Sequence, residues 1–201
     1  MAIAVWNILD LVDQNGDEVI SEIISDFSCS RLVNGSTRNL NPDIEHFLKE
    51  NAIQFAKEKK SVTYIVGDNE TGDILGYFTI AHKAVEIPAD GLSKTTIKKM
   101  CRYAEINEKS NTFTVSGFLI AQFGKNYSVD DGNRITGKEL MHLTHNELLD
   151  LQRRVGGGII YLDCEADAQR ISFYEGEGFR LFGERLSQKD GKSYLQYMKF
   201  F

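Results

Sequence analysis

The sequence predicts an α+β (α/β-like) fold built on a mixed β-sheet, and three observations indicate it. Helical periodicity dominates residues 41–56, two β-rich segments follow within 62–84, and strands alternate with helices from residue 112 onward. A 3.6-residue apolar repeat marks a helix with one buried face, whereas β-rich runs bounded by turn residues mark strands. Their alternation along one chain is typical of α/β and α+β folds.

The first quarter of the chain predicts one strand and two helices. Val5–Leu9 is read as the first strand and Asp17–Phe27 as a short helix, while Ser28–Leu40 is polar and rich in turn residues. A stronger helix follows, in which Asn41 is the expected cap and Pro42 suits the first helical position. Its buried face is marked by helical spacing of Ile44, Phe47, Leu48, Ala52, Phe55 and Ala56.

A β-hairpin and an irregular segment come next. Val62–Val66 and Ile74–Ala84 are β-rich and are separated by the turn residues Gly67–Asp73. Val85–Asn111 is read as an insertion or connecting arm that holds a short helix at Thr95–Tyr103. This segment has a local excess of basic side chains. They form either a binding face or, as the alternative, a solvated helix face. The basic residues are Lys94, Lys98, Lys99, Arg102 and Lys109.

The second half alternates strands and helices. Thr112–Phe123 is a strong strand, Ser128–Thr136 a loop, and Gly137–Val155 a helix that Gly156–Gly158 ends. The remaining elements are strand Ile159–Cys164, helix Asp167–Glu175, strand Phe179–Leu186, a turn at Lys189–Gly191 and strand Ser193–Phe201.

Length and composition indicate an ordinary globular protein. The 201 residues suit one domain, or one domain with an insertion, and 42% are hydrophobic and 26% charged. The net charge of -6 argues against global attraction to nucleic acid. Three widely spaced cysteines without a CxxC pair suggest neither a disulfide framework nor a zinc site. No apolar run approaches membrane-spanning length and Met1–Asp10 lacks signal-peptide features, so the cytoplasm is the expected compartment.

Near the C-terminus, the pair Phe173-Tyr174 lies in a short helix that follows a strand, and it precedes Gly178-Phe179. This order resembles the end of a GNAT-type N-acetyltransferase. The resemblance implies a GNAT-like mixed, mainly antiparallel β-sheet flanked by helices on both faces. It further implies a single domain over 1–201 with the insertion at about 85–111, acetyl-CoA as acyl donor, and a primary amine as acceptor.

The resemblance also assigns a cofactor site to the fourth strand of the family, the following loop and a helix start. Backbone N–H groups at Phe123, Gly124 and Lys125 would face the acetyl carbonyl. The pyrophosphate loop departs from the family pattern, because only its last glycine matches; an ordinary strand-to-helix turn is the alternative reading. Its residues are Asn133, Arg134, Ile135, Thr136, Gly137 and Lys138, with Ile135 replacing the family's middle glycine.

Tyr174 is the catalytic candidate. The resemblance places it beside the thiol of coenzyme A, where a phenol could protonate the leaving thiolate. The alternative is a core aromatic residue with its hydroxyl satisfied. Asp167 stands where the family usually has Asn; it can cap the helix but cannot donate to the cofactor's amides. No general base is assigned, since Glu86 and Glu105 are better explained as surface charges.

Four segments of the N-terminal half carry a narrower resemblance: Phe27–Ser30, Phe47–Ala52, Thr63–Val66 and Leu75–Ala81. They are similar to the acetyltransferase toxins of toxin–antitoxin pairs. This resemblance implies aminoacyl-tRNA as one acceptor, an antitoxin partner and a homodimer. A non-catalytic GNAT-fold protein that binds a partner or CoA is the alternative.

The sequence does not indicate a metal site. His142 and His145 could share a helix face, but no third metal ligand is evident.

Overall fold

The structure is a computed structural model that describes residues 2–188 and 191–201. The chain divides into two compact units. The first unit holds the described residues up to Ala81 together with Ala121–Thr144, and the second holds His82–Ile120 with His145–Phe201. Each unit has its own buried core.

The first unit begins with a strand and two short helices. β1 (Ile3–Asn7) leads directly into α1 (Ile8–Asn15), because the side chain of Asn7 caps that helix. Gly16, with φ of 86°, separates α1 from α2 (Asp17–Ser25). The predicted strand Val5–Leu9 is therefore wrong at its end, where the capping asparagine starts a helix that the sequence analysis missed.

A two-stranded hairpin replaces the predicted turn-rich segment Ser28–Leu40. β2 (Ser30–Val33) pairs with β3 (Ser36–Asn39) in antiparallel register. Asn34 and Gly35 form the turn with φ values of 51° and 78°. Two positive φ angles are the geometry that joins strands most tightly, and Asn-Gly is its strongest sequence signal.

The next helix is interrupted by a π-helical turn. α3 (Pro42–His46) continues through the turn Phe47–Asn51 into α4 (Ala52–Lys57). The predicted helix and its apolar face are confirmed, and Pro42 occupies the first turn. Asn41 stands at the cap position but its side chain makes no capping hydrogen bond.

The remaining elements occur in the predicted order, except for an unpredicted short strand, Ile106–Asn107, within the segment read as an arm. The strands are β4 (Val62–Asp68), β5 (Ile74–Pro88), β6 (Ile106–Asn107), β7 (Thr112–Lys125), β8 (Ile159–Cys164), β9 (Arg180–Leu186) and β10 (Ser193–Phe200). The helices are α5 (Lys94–Met100), α6 (Gly137–Val155) and α7 (Ala168–Gly176), with a 3₁₀ turn at Asp131–Asn133.

In the first unit, β4 pairs antiparallel with both β1 and β5. Gly67 is required on β4, because a Cβ there would lie 2.5 Å from Cζ3 of Trp6. The helices α1, α2 and α4 cover the sheet with a core that includes Ile8, Ile20, Ile24, Phe27, Leu48 and Tyr77.

In the second unit, β7 runs parallel to β8, and β10 pairs antiparallel with β8 and β9. This makes the sheet mixed and mainly antiparallel, as predicted. A core shared by strands and by α5 contains Ile87, Met100, Phe113, Val115, Ile159, Phe182 and Met198.

Element bounds in the second half match the prediction closely. α6 and β8 have the predicted residues, and Asp167 caps α7 rather than belonging to it. β5 extends to Pro88, so the first residues of the predicted arm continue a strand. The predicted turn at Lys189 and Asp190 lies outside the described residues. No helix in the described part of the chain is long and apolar enough to cross a membrane.

Candidate active site

The C-terminal end of β7 lies beyond its pairing with β8. The parallel ladder covers Gly117–Leu119 on β7 and Ile159–Tyr161 on β8, and it ends there. Phe123, Gly124 and Lys125 follow on the same strand, within the first unit. An end to the parallel ladder before this segment is what a splayed strand requires.

Gly124 is fixed by close packing in the first unit. A Cβ at this position would lie 2.5 Å from Cγ2 of Ile44 and 3.3 Å from Cε1 of Tyr77. Tyr77 is fully buried and its hydroxyl donates to the carbonyl oxygen of Ile44 at 2.6 Å. A glycine is therefore needed at position 124 to let the β7 backbone approach α3, the helix that carries Ile44.

The loop after β7 starts at a buried asparagine that the sequence analysis missed. Oδ1 of Asn126 accepts the backbone N–H of Ser28 at 2.9 Å and the hydroxyl of Ser128 at 2.8 Å. Its Nδ2 donates to the carbonyl oxygen of Ile74 at 2.8 Å. The Asn126 amide thus joins its own loop to the segments at Ser28 and Ile74. Because these segments are distant in the sequence, no local pattern predicts the contacts.

Arg134 holds the loop in shape. Its Nε donates to the carbonyl oxygen of Val129 at 2.8 Å, and Nη2 donates to that of Tyr127 at 2.6 Å. Nη1 forms an ion pair with Asp131. Most of the guanidinium donors are therefore used inside the loop, which makes Arg134 a positioning residue for the loop backbone.

Helix α6 begins with a capping box formed by Thr136 and Glu139. The backbone N–H of Thr136 donates to Oε2 of Glu139 at 2.8 Å, and the N–H of Glu139 donates to the Thr136 hydroxyl at 3.2 Å. Hydrogen bonds from Thr136 hold the pKa of the Glu139 carboxyl below its usual value. The N–H groups of Gly137 and Lys138 have no protein acceptor among the described residues, so the helix start can accept an anion.

Ile135 does not obstruct this helix start. Its side chain is 2% exposed, so it points into the first unit's interior rather than toward solvent. Asn133, Thr136 and Lys138 are exposed. The isoleucine that replaces the family's middle glycine therefore serves the core and leaves the outer side of the loop to polar groups.

Three cations converge on the ring of Tyr127. The distances from the ring centroid are 5.3 Å to Nζ of Lys125, 5.3 Å to Cζ of Arg134 and 6.0 Å to Cζ of Arg31. No carboxylate of the described residues forms an ion pair with Arg31 or Lys125. This group, the Tyr127 cluster, is a local positive surface that the overall charge of the chain conceals.

Tyr174 lies in the second unit, in the last turn of α7. Its ring packs edge-to-face against Phe173 at 5.2 Å and Phe179 at 6.0 Å between centroids. Burial, with a smaller contribution from the nearby Cys164 thiol, raises the pKa of Tyr174 to about 12, and Arg170 opposes both effects. Tyr174 is thus a phenol that keeps its proton at physiological pH.

The two ends of α7 are held by different means. Asp167 accepts the backbone N–H groups of Gln169 at 3.1 Å and Arg170 at 3.0 Å. After the helix, Nζ of Lys199 donates to the carbonyl oxygen of Glu177 at 3.0 Å. Asp167 therefore acts as a helix cap, and any role toward a cofactor is through the helix it starts.

A partner on β10 further fixes the C-terminal turn. The buried hydroxyl of Tyr197 hydrogen-bonds the carboxylate of Glu175, the residue next to Tyr174. Burial and the charge of Glu175 raise the pKa of Tyr197, which therefore remains the donor. Nothing in the sequence pairs these two positions, since they are joined only when α7 packs on β10.

The structure groups the predicted residues within each unit. In the first unit, the predicted residues lie at the end of β7 and at the start of α6, within residues 123–138. In the second unit, Asp167 caps α7 and Tyr174 lies in its last turn. Glu86 and Glu105 are exposed, as expected of surface charges. The T-x-x-E pattern of Thr136 and Glu139 is a local signal that could have predicted the capping box.

No protein-family model matches the chain, and no curated protein matches it. Several solved structures are similar to the chain along most of its length. An AtaT complex with acetyl-methionyl-tRNA is 16% identical over 96% of this chain and 93% of that chain, with a TM-score of 0.61. The chain has the GNAT fold. The fold prediction, a mixed and mainly antiparallel sheet with helices, is thereby confirmed.

Two other similar structures cover the same length. A tyrosine-to-phenylalanine mutant of KacT is 16% identical over 98% of this chain and 95% of that chain, with a TM-score of 0.59. A tyrosine-to-phenylalanine mutant of the AtaT toxin, bound to acetyl-CoA and the C-terminus of the antitoxin AtaR, is 12% identical over 100% of this chain and 94% of that chain, with a TM-score of 0.57.

Proposed function

We propose that the protein is an acetyl-CoA-dependent N-acetyltransferase that acts on a primary amine by direct attack. The observation that carries the proposal is Tyr174, a protonated phenol held at the end of α7 in a GNAT fold. Similar structures include an AtaT mutant bound to acetyl-CoA and an AtaT complex with an acetylated tRNA. We further infer a cytoplasmic enzyme.

In this proposal the start of α6 binds the pyrophosphate of acetyl-CoA. Gly137 and Lys138 offer backbone N–H groups, and the helix dipole adds a partial positive charge there. Asn133, Thr136 and the ammonium of Lys138 provide exposed polar groups beside them. Arg134 supports the loop from within. Acetyl-CoA supplies the activated acetyl group as a thioester.

The end of β7 is assigned to the thioester carbonyl. Backbone N–H groups of Phe123, Gly124 and Lys125 are the candidates to stabilise negative charge on that oxygen, a role that does not depend on side-chain type. Close packing around Gly124 keeps this backbone in place. Such preorganised donors act without rearranging during the reaction, which is why they are effective.

Tyr174 is assigned to the leaving group. The neutral amine attacks the carbonyl carbon, the carbon–sulfur bond breaks, and the electron pair stays on sulfur. Tyr174 donates its hydroxyl proton toward that thiolate and recovers a proton from water, while the amine releases its proton to water. A phenol with a pKa of about 12 is a weaker acid than a thiol near ~8.5, so hydrogen-bond donation precedes full proton transfer.

Calorimetric titration with acetyl-CoA tests the cofactor assignment. We expect saturable binding that Lys138→Glu weakens by about tenfold, because the reversal places an anion beside the pyrophosphate. Lys60→Glu, an exposed position on the same unit, is the charge-matched control and should leave affinity unchanged. Absence of binding by the wild-type protein, together with no acetyl-CoA consumption with an amine panel, would contradict the proposal.

Aminoacyl-tRNA is the acceptor that the Tyr127 cluster favours. Arg31 and Lys125 present cationic groups beside an aromatic ring, which is the combination that contacts phosphates and unstacked bases. We expect transfer of radiolabelled acetyl groups to aminoacyl-tRNA, reduced by about tenfold in Arg31→Glu/Lys125→Glu. Lys83→Glu, at an exposed position outside the cluster, is the control. Equal transfer by both variants would remove the assignment.

Partners follow from the same proposal. The AtaT mutant is bound to the C-terminus of an antitoxin, and KacTA is described in complex with DNA. We infer an antitoxin and a homodimer for this chain as well. A non-catalytic GNAT-fold protein that binds CoA or a partner is the alternative, and measurable turnover lost in Tyr174→Phe would exclude it.

A further inference from the structure

The acidic excess of the chain is confined to its first 30 residues. This segment contains no lysine, arginine or histidine. Because the chain has 29 acidic and 23 basic residues, six acids in this segment account for the whole net charge of -6. They lie on or beside α1 and α2, and all are exposed: Asp10, Asp13, Asp17, Glu18, Glu22 and Asp26.

Two parallel rows of side chains run along the outer side of α2. Glu18, Glu22 and Asp26 are spaced four residues apart, so they follow one another along the helix. Val19 and Ile23 form the adjacent row with the same spacing, and they are 44% and 48% exposed. We call these five residues the α2 ridge. Its apolar row continues the buried side of α2 onto the surface.

Stability of the helix does not explain the α2 ridge. Like charges four residues apart repel, and acids near a helix C-terminus oppose the helix dipole. The last turn of α2 carries no basic residue. Asp17 pairs with Lys57, but within the described part of the chain no cation forms an ion pair with Glu18, Glu22 or Asp26.

We propose that the α2 ridge docks a cationic amphipathic helix from a partner protein. Such a helix would set an apolar row against Val19 and Ile23 and a row of Lys or Arg against the acids. Rows with four-residue spacing on both helices interdigitate in the commonest mode of helix packing. Charge complementarity selects the partner and its orientation, while the apolar row supplies the buried contact. This inference does not depend on acetyl transfer.

This chain's own basic helix fits the ridge less well. Lys94 and Lys98 lie four residues apart on α5, and Arg102 follows in the turn after the helix; all three are exposed. The row beside them consists of Thr95, Lys99 and Tyr103 rather than aliphatic residues. A second copy of the chain would therefore satisfy the charges but not the apolar row, so the partner is a different protein.

The test uses the full-length protein and a labelled helical peptide of about 18 residues, long enough to form a helix. The peptide carries a row of Leu and an adjacent row of Lys at four-residue spacing. Fluorescence anisotropy should report saturable binding, weakened about tenfold by Glu18→Lys/Glu22→Lys and separately by Val19→Ser/Ile23→Ser. A peptide with Glu in the charged row should bind the lysine variant and not the wild type.

Controls separate docking from bulk charge. Glu105→Lys/Glu108→Lys changes net charge equally at exposed positions and should leave affinity unchanged. Equal weakening by this control, or equal binding of a scrambled peptide, would overturn the proposal. So would self-association of the protein alone that sedimentation shows to be lost both in Lys94→Glu/Lys98→Glu and in Glu18→Lys/Glu22→Lys, because it would identify a second copy as the occupant of the ridge. Circular dichroism checks that each variant is folded.

Discussion

The backbone N–H of Phe179 donates to the carbonyl oxygen of Tyr174 at 3.0 Å, and the two rings pack edge-to-face at 6.0 Å. The first residue after the Gly178 turn is thus held by backbone and side chain to the proposed catalytic residue. Gly178 has φ of 89°, which a glycine adopts without strain. Tyr174 therefore has its ring fixed independently of its hydroxyl.

This arrangement makes Tyr174→Phe a clean test of the hydroxyl. We expect kcat for acetyl transfer to fall by about 10²–10⁴-fold, because the thiolate loses its proton donor while the ring contacts persist. Release of the CoA thiol, followed with a thiol reagent, measures the rate. Affinity for acetyl-CoA should change by less than about threefold.

Tyr161→Phe is the matched control for this substitution. Tyr161 is a buried tyrosine on β8, and burial raises its pKa to about 12 as well. It has no proposed contact with the cofactor, so its hydroxyl should be dispensable for turnover. Similar losses of kcat in both variants would show that the effect is structural and would remove the acid role of Tyr174.

Alkaline pH should destabilise the fold through these tyrosines. Below about pH 10 a tyrosine is neutral in both the folded and the unfolded chain, so its contribution to the free energy of unfolding is fully present there. As pH rises from about 10 to 12, the unfolded chain loses the proton first and Tyr174 retains it, so stability falls across that window. Urea unfolding at pH 9 and pH 11 should show the fall, and Tyr174→Phe should reduce it. If Tyr174→Phe lost as much stability between pH 9 and pH 11 as the wild type, the Tyr174 hydroxyl would ionise as freely in the folded protein as in the unfolded chain.

Local signals in the sequence account for most of the fold. The periodicity of residues 137–155 and the apolar run 159–164 predicted α6 and β8 with their observed bounds. The hairpin at Asn34-Gly35 was missed although its turn is a strong local signal. α1 was missed because it has only eight residues and begins directly after a strand, so that the capping residue Asn7 is the one local sign that the strand ends and a helix begins.

The candidate site could be proposed from the sequence only where it depends on local residues. Tyr174 and the start of α6 were proposed from the GNAT resemblance, which rests on the neighbouring Gly178-Phe179 and on a strand-to-helix turn. Asn126 joins Ser28, 98 residues away, to Ile74, 52 residues away, and the approach of Arg31 to Tyr127 also connects segments far apart in the sequence. Such contacts arise from tertiary packing, so no periodicity or spacing indicates them.

Removal of the capping box should loosen the start of α6. Thr136→Ala deletes the hydroxyl that accepts the N–H of Glu139, and we expect a loss of about 1 kcal/mol in the free energy of unfolding. Urea denaturation at unchanged m-value measures it. Glu139→Gln retains a side-chain oxygen at the same place and should cost less. Equal losses would mean that charge, rather than the reciprocal hydrogen bonds, stabilises this end.

Gly124→Ala should destabilise the first unit through a steric clash. The added Cβ would lie 2.5 Å from Cγ2 of Ile44, and we expect a loss of about 1–3 kcal/mol. Ile44→Ala removes that methyl, so the double variant should be more stable than the sum of the two single losses predicts. Additive losses in urea denaturation would show that the chain avoids the clash by moving its backbone.

Glu22→Lys should stabilise the protein although it removes a proposed docking charge. The substitution replaces repulsion between Glu22 and its neighbours Glu18 and Asp26 by attraction, and it places a cation in the last turn of α2. We expect a gain of about 0.5–1 kcal/mol in the free energy of unfolding. Glu22→Gln, which removes repulsion without adding attraction, should give about half of it. A loss of stability in both would mean that Glu22 has a favourable contact within the fold, and that the acidic row is retained for folding rather than for a partner.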